Sequence, residues 1–386
     1  MTSTSDRIPL AQVRDLLNVG EPLPFRVLDS HKRLLLNAGQ VLLNEEQLDG
    51  LYERGAWAER PLVEATRIAR AEAAARAAKV VPQLSLFDRW DRLLLHFDRL
   101  PRAISRKEEK GTAVSEVFSG LQSLIDRDPD VALFQCIRQE ERRFALYPFR
   151  HSVRVATLVV LTARQLGWEP SRCASLGCAG LTMNFSMLDL QATMAEQDTP
   201  PTKKQLEQIR AHPEATVAML RAAGIEDEVW LTAVLEHHEH VGGGGYPRGH
   251  GDVCPEARIL RAADVYMAKI SARAERPAMT PQGATRQLFQ QSAGDELAMA
   301  MIRTVGVHPP GSLVRLRSGE VAVVIRRATA GPHPLVATLS DKNGRPTGET
   351  HRRDSSQPDF AIDGPLDVNT AFQRVLPERV YGLMSA

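Results

Sequence analysis

The sequence predicts a mainly α chain: a helical bundle with a small N-terminal α/β unit ahead of it and a small β unit behind it. Three observations carry this reading. From Leu86 onward apolar residues recur at the helical period, as in Trp90/Leu93/Leu94/Phe97 and Val117/Leu121/Leu124/Ile125. Between Phe25 and Leu43 short apolar runs are broken by a turn, and beyond Gly306 apolar runs are again short and punctuated by Ser318-Gly319, Gly331-Pro332 and Asn343-Gly344. A length of 386 residues at 43% hydrophobic content leaves room for two or three domains and a substantial core.

Taken in order, residues 1–62 form the accessory unit. Phe25-Arg26-Val27-Leu28 and Leu34-Leu35-Leu36 read as strands, Asn37-Ala38-Gly39 as a turn before Val41-Leu42-Leu43, and a short helix opens at Asn44. Residues 63–146 link and buttress. Ala65 to Lys79 is rich in Ala, Arg and Glu with few large apolar groups, so an exposed linking helix is expected, closed by Pro82. Acidic residues interleave its arginines, which argues against nucleic acid. Helices from Leu86 to about Arg143 then lead into an all-helical main domain at 147–305. Residues 306–386 hold strand runs at Leu313–Leu316, Glu320–Ile325 and Leu335–Leu339, no catalytic cluster, and a polar loop from Thr350 to Pro358 expected to be mobile.

Forty-eight basic against 47 acidic side chains give a net charge of +1, so no global field attracts nucleic acid or an anionic membrane, and any binding is local. The first residues carry no apolar signal core and no run has membrane-spanning length, so a cytoplasmic location is expected. Cys136, Cys173, Cys178 and Cys254 form no CxxC pair and no zinc spacing; buried, reduced thiols are expected.

The chemistry concentrates in His237-His238-Glu239-His240-Val241-Gly242-Gly243-Gly244-Gly245-Tyr246-Pro247, where metal-type ligands adjoin a glycine-rich turn. HHE followed by GGGGYP resembles the HD-GYP domain, a bacterial branch of the HD phosphohydrolase superfamily, with Gly242 where an acidic residue is usual. The resemblance implies a helical HD-domain bundle, phosphodiesterase chemistry on cyclic di-GMP and divalent metals. It extends to His151 in an HSxRVA-like run, to His212 before Pro213 at a helix junction, and to Asp264 in a segment similar to ARILxVADVYDA. Read on its own, His151 shares an apolar face with Val155 and Leu158, which suits a core histidine as well as a ligand. His237 and His238 end a helix expected from Ile225 to His238. Asp264 lies between Leu260 and Met267, where a buried carboxylate needs a cation or donors.

The departures are as informative. The segment resembling GLLHDIGK reads Gly180-Leu181-Thr182-Met183-Asn184-Phe185-Ser186-Met187, so Met183 stands for the His, Asn184 for the Asp and Met187 for the Lys. A thioether is a poor ligand for a borderline ion, an amide brings no bridging charge, and the lysine's cation is gone. Catalytic residues are therefore not assigned. His151, His212, His237, His238 and Asp264 remain; two or three of them would hold a single divalent metal, Fe or Mn, and a metal-free pocket of mutually bonded histidines is the alternative. Arg273 and Arg276 keep basic residues where the family's DRPYR-like stretch meets the dinucleotide, though exposed helix-end arginines need no ligand. By the same resemblance Gly244, Gly245, Tyr246 and Pro247 form a docking loop for diguanylate cyclase (GGDEF) proteins. Three readings follow: an impaired nucleotide sensor or partner-binding regulator in cyclic di-GMP signalling, an active metal-dependent phosphodiesterase with a rebuilt or mononuclear site, and a purely structural interaction module.

Overall fold

The computed structural model describes residues 6–79, 84–138, 146–292, 294–328, 331–366 and 376–382. The expected stop at Pro82 lies outside them, as does Arg143. The chain divides into two compact units, residues 1–83 and 84–386.

In the first unit β1 (Arg7–Pro9), β2 (Val27–Leu28), β3 (Leu34–Leu36) and β4 (Trp57–Glu59) make an antiparallel sheet in the order β1-β4-β2-β3. Strands β1 and β4 are three residues each, too short for an alternating pattern to register in sequence. Helix α1 (Glu45–Glu53) starts where the Asn44 side chain accepts the Gln47 N–H. Helix α2 (Arg60–Lys79) begins earlier than composition suggested, because Val63 is buried with Leu10, Val13, Phe25 and Leu48. Arg70 also donates to the carbonyls of Asp15 and Leu16.

The second unit opens with α3 (Leu86–Ser105), whose Ser85 and Asp88 form a capping box, then α4 (Thr112–Arg127) and α5 (Pro129–Ile137). The main bundle follows: α6 (Tyr147–Gln165), α7 (Pro170–Thr182), α8 (Leu188–Glu196), α9 (Lys203–Ala222), α10 (Glu228–Glu236), α11 (Pro255–Ile270), α12 (Pro281–Gln291) and α13 (Glu296–Val305). Its centre is α6, with Val155, Ala156, Leu158 and Val159 fully buried. Helix α7 packs against it closely enough that a Cβ at Gly180 would sit 2.7 Å from the Ala156 Cα. Among the described residues no helix is long and apolar enough to cross a membrane.

The chain ends in β5 (Leu313–Leu316), β6 (Val321–Arg326), β7 (Leu335–Thr338), β8 (Arg352–Asp354) and β9 (Ile362–Pro365), an antiparallel sheet in the order β8-β7-β6-β5-β9, followed by α14 (Pro377–Tyr381). Phe134 of α5 joins the apolar cluster of Val323, Ile325 and Val380 and ties the sheet to the bundle. The stretch from Thr350 to Pro358, expected as a polar loop, holds β8. Its charges are used inside the fold, since Arg353 bonds Glu320 at 2.9 Å and lies over the Phe360 ring. The fold is thus mainly α, with a small unit of mixed structure before the bundle and a β unit after it.

Candidate metal centre

The His-Pro pair at 212–213 is built differently from the junction its sequence suggests. Helix α9 starts at a capping box between Thr202 and Gln205 and runs through Pro213 without ending. Proline has no N–H for the carbonyl four residues back, which is that of Ile209. His212 Nδ1 takes this vacant acceptor, donating to Ile209 O at 2.6 Å. The proline therefore creates the acceptor that fixes the ring.

His237 is fixed by the same device at a helix end. Helix α10 begins at the Asp227 cap, later than the expected Ile225, and stops at Glu236, with His237 as its C-cap. Carbonyls of a last helical turn lack intrahelical partners. His237 Nδ1 donates to one of them, Val234 O, at 2.6 Å.

A carbonyl only accepts, so both rings carry their proton on Nδ1 and a bare lone pair on Nε2. The two Nε2 atoms face each other at 3.2 Å. Two acceptors at that distance repel unless a cation lies between them. Burial and the neighbouring His237 depress the His212 pKa to about 3; burial lowers that of His237 and brings His238 well below the ordinary histidine range. A proton is thus a poor bridge at neutral pH. Two nitrogens bound to one ion at about 2.0–2.1 Å, at angles between octahedral and tetrahedral, lie about 2.9–3.4 Å apart. The donors fit a divalent ion.

His238 completes the group. Its ring centroid is 4.1 Å from that of His237 and 5.1 Å from that of His212, and one ligand atom from each of the three lies within 4.8 Å of the others. Among the described residues this is the one such cluster. His151 and Asp264 stand beside it as a pair, Nε2 to Oδ1 at 2.7 Å. Burial pushes the Asp264 carboxyl up, but its hydrogen bond to His151 and the field of the imidazoles outweigh this and hold it below the usual range. With Nε2 donating to that carboxylate, His151 Nδ1 is buried without a partner. Tyr147 stacks on His151 at 5.6 Å, and its hydroxyl accepts from Arg273 Nε and Nη2 at 3.2 and 2.9 Å. Arg273 so ends a string running through Tyr147 and His151 to Asp264. Arg276 is exposed and donates to Ala268 O at 2.5 Å, while backbone bonds between 273 and 276 close the turn.

The altered segment brings no charge to the centre. Met183 is fully buried in the core at the end of α7, Asn184 is buried, and Met187 is half-buried. The Ser186 hydroxyl donates to His212 O at 3.0 Å and meets Thr216 Oγ1 at 2.8 Å, so this segment braces α9 at His212 itself.

Glu239, the third member of HHE, turns away from the histidine cluster. It is 1% exposed, and its carboxylate accepts the N–H groups of Arg248 and Gly249 at 2.6 and 3.0 Å. These bonds fold the glycine loop back on itself. A Cβ at Gly245 would meet Glu239 Cα and His238 O at 2.5 Å, and Tyr246 stacks on His238 at 4.5 Å. Gly244 and the cis Tyr246-Pro247 bond belong to this turn, which ends against His238 rather than apart from it.

Two cations escaped the sequence reading. Arg261 lowers the pKa values of His237, His238 and Tyr246, and Arg210 also acts on Tyr246. Arg261 lies three residues before Asp264 on α11, on the same helix face, a spacing that was visible in sequence.

Residues 134–296 match the HD domain family. The chain is 28% identical over 185 residues to the cyclic di-GMP phosphodiesterase PA4108 of Pseudomonas aeruginosa, covering 47% of this chain and 45% of that protein. It is 28% identical over 143 residues to the cyclic di-GMP phosphodiesterase response regulator RpfG of Xanthomonas campestris pv. campestris, covering 36% and 37%. The bundle is an HD-GYP family domain. The match spans less than half the length of these relatives. A solved structure, Bd1817, a HDG"Y"P protein from Bdellovibrio bacteriovorus, aligns with TM-score 0.45 at 14% identity, over 76% of this chain and 97% of that one. The matched segment runs from within α5 to the first residue of α13.

Proposed function

We propose that this chain acts in cyclic di-GMP signalling as a catalytically impaired HD-GYP protein, a nucleotide sensor or partner-binding regulator that holds at most one divalent ion. The observation that carries the reading is the all-imidazole cluster. His212, His237 and His238 offer neutral nitrogens, and the bridging carboxylate of a multinuclear centre is replaced by the amide of Asn184. HD-domain phosphodiesterases use divalent metals, and the names of both curated relatives point to cyclic di-GMP as the ligand. Iron suits these imidazole donors, whereas manganese prefers oxygen and would draw on the Asp264 carboxylate beside the cluster. When bound, such an ion supplies Lewis acidity toward a phosphate oxygen.

The chain's own residues do the rest. The carbonyls of Ile209 and Val234 keep two lone pairs aimed at one point. Asp264 holds His151, and Arg273 reaches the same array through Tyr147. The glycine loop, tied down by Glu239, presents Gly244 to Pro247 beside His238 as the docking surface for a diguanylate cyclase (GGDEF) partner.

Calorimetric titration with cyclic di-GMP, paired with metal analysis of protein purified without oxygen, tests the reading. Binding without turnover, at a metal content of one per chain or below, is the expected result. The second reading, an active phosphodiesterase on a rebuilt site, is favoured by the activity named for both relatives. Linear pGpG or GMP appearing with added Fe or Mn, and vanishing in His238→Ala, would establish it in place of the first.

A further inference from the structure

A cleft of about 640 Å³ opens beside the histidine cluster, with His212 in its wall. That volume falls in the range of small-molecule sites, roughly 300–1,000 Å³. Its lining includes Arg102, Ser105, Phe149, Phe185, Met187 and His212. Two of these, Arg102 and Ser105, belong to α3, which ends before the family-matched segment begins at residue 134. Helix α3 is anchored there by Phe97, fully buried and packed against Phe149 at 6.2 Å and Phe185 at 5.9 Å. The apolar side of α3 thus backs the two phenylalanines of the cleft wall, while Pro101, Arg102 and Ser105 of its last turns line the cleft.

Arg102 is the one lysine or arginine among the described lining residues. Met187 contributes no charge. The only ion-pair partner of Arg102 among the described residues is Asp189 at 3.6 Å, with side chains 69% and 94% exposed. A pair so long and so exposed is worth little, and it leaves the guanidinium donors free to turn toward a ligand.

We propose that α3 completes the ligand cleft of this protein and that Arg102 binds a phosphate of a guanine dinucleotide whose other contacts run toward His212. The inference rests on the cyclic di-GMP reading above and extends it to a residue outside the HD domain. The apolar wall at Phe149 and Phe185 lies against the base, Arg102 meets the phosphate by charge-assisted hydrogen bonds, and His212 marks the metal end.

The test is calorimetric titration of the full chain with cyclic di-GMP for wild type, Arg102→Gln, Arg102→Glu and Arg102→Lys, with melting temperatures recorded for each. Hydrogen exchange over residues 98–105 is followed in the wild type with and without the dinucleotide. The expected result is binding weakened about tenfold or more by Gln and further by Glu, partly restored by Lys, at unchanged melting temperature, with protection of 98–105 on binding. Wild-type affinity in both Gln and Glu variants, with no protection of that stretch, overturns the role of α3 while the cyclic di-GMP reading stands. No binding by the wild type at high micromolar concentration overturns both. Should Arg102→Glu fail to fold, the Gln variant and the exchange measurement decide.

Discussion

Nε2 of His212 lies 3.2 Å from Nε2 of His237, and each ring gives its Nδ1 proton to the carbonyl three residues before it. Both carbonyls are available because a helical hydrogen bond is missing, at Pro213 inside the continuous α9 and at the end of α10. Ring orientation here is a by-product of backbone hydrogen bonding, with no side-chain carboxylate needed to set the tautomer of either ring.

That dependence separates stability from metal binding. In Pro213→Ala an N–H returns to compete for Ile209 O, and the His212 ring loses its fixed tautomer. Mid-helix proline is unfavourable relative to alanine by up to about 3 kcal/mol, so the variant should melt at or above the wild-type temperature. Metal affinity should fall about 10–100-fold, the usual effect of removing an orienting partner. Melting curves and metal titration on one preparation check both signs; parallel loss of stability and affinity would refute the argument.

Much of this was legible in sequence, and the remainder was hidden for identifiable reasons. The period of Trp90, Leu93, Leu94 and Phe97 gave α3, and the runs after Gly306 gave three strands of the β unit. Strand β8 was missed because Arg352-Arg353-Asp354 has no apolar member, its place being held by the Arg353–Glu320 pair. His151, His212, His237, His238 and Asp264 could be named singly. Their division into a three-histidine cluster and a separate His151–Asp264 pair depends on how four helices pack, which no local pattern encodes. Pro213 read as a helix start because proline favours first turns; the capping box that opens at Thr202 overrode it.

Metal removal should be visible as a loss of stability. An ion that binds only the folded chain adds about 2.7 kcal/mol when its free concentration is a hundred times its dissociation constant. Chelator-treated wild type is therefore expected to melt several degrees lower and to recover on adding Mn or Fe. His237→Ala should show no difference between the two conditions. A chelator effect of equal size in that variant would place the ion elsewhere.

Gly245→Ala tests the loop. The added methyl meets backbone atoms of Glu239 and His238 at 2.5 Å, which cannot give way as a flexible side chain would. A cost of about 1–3 kcal/mol is expected, together with displacement of Tyr246 from His238. Gly244→Ala meets no atom within 4 Å but carries φ +81, so its cost is backbone strain alone, about 1 kcal/mol. Chemical denaturation of the two variants should rank them in this order, and only Gly245→Ala should weaken metal binding.

One separable part of the acid sensitivity should arise in the β unit. Burial pushes the Glu320 carboxyl up, but the Arg353 guanidinium and the Ser318 hydroxyl outweigh it and hold the group below its ordinary value of 4.5. A carboxyl with a depressed folded-state pKa stabilises the fold fully above the unfolded value and loses that contribution as pH falls through the folded one. Glu320→Gln leaves Arg353 without its charged partner, a cost of about 2 kcal/mol at neutral pH. Below the folded pKa the wild-type carboxyl is itself neutral, so the gap between wild type and variant should shrink as pH drops beneath 4.5. Melting temperatures of both proteins from pH 7 down to pH 3 check this, and a gap that stays constant across the series would show that Glu320 acts through packing rather than through its charge.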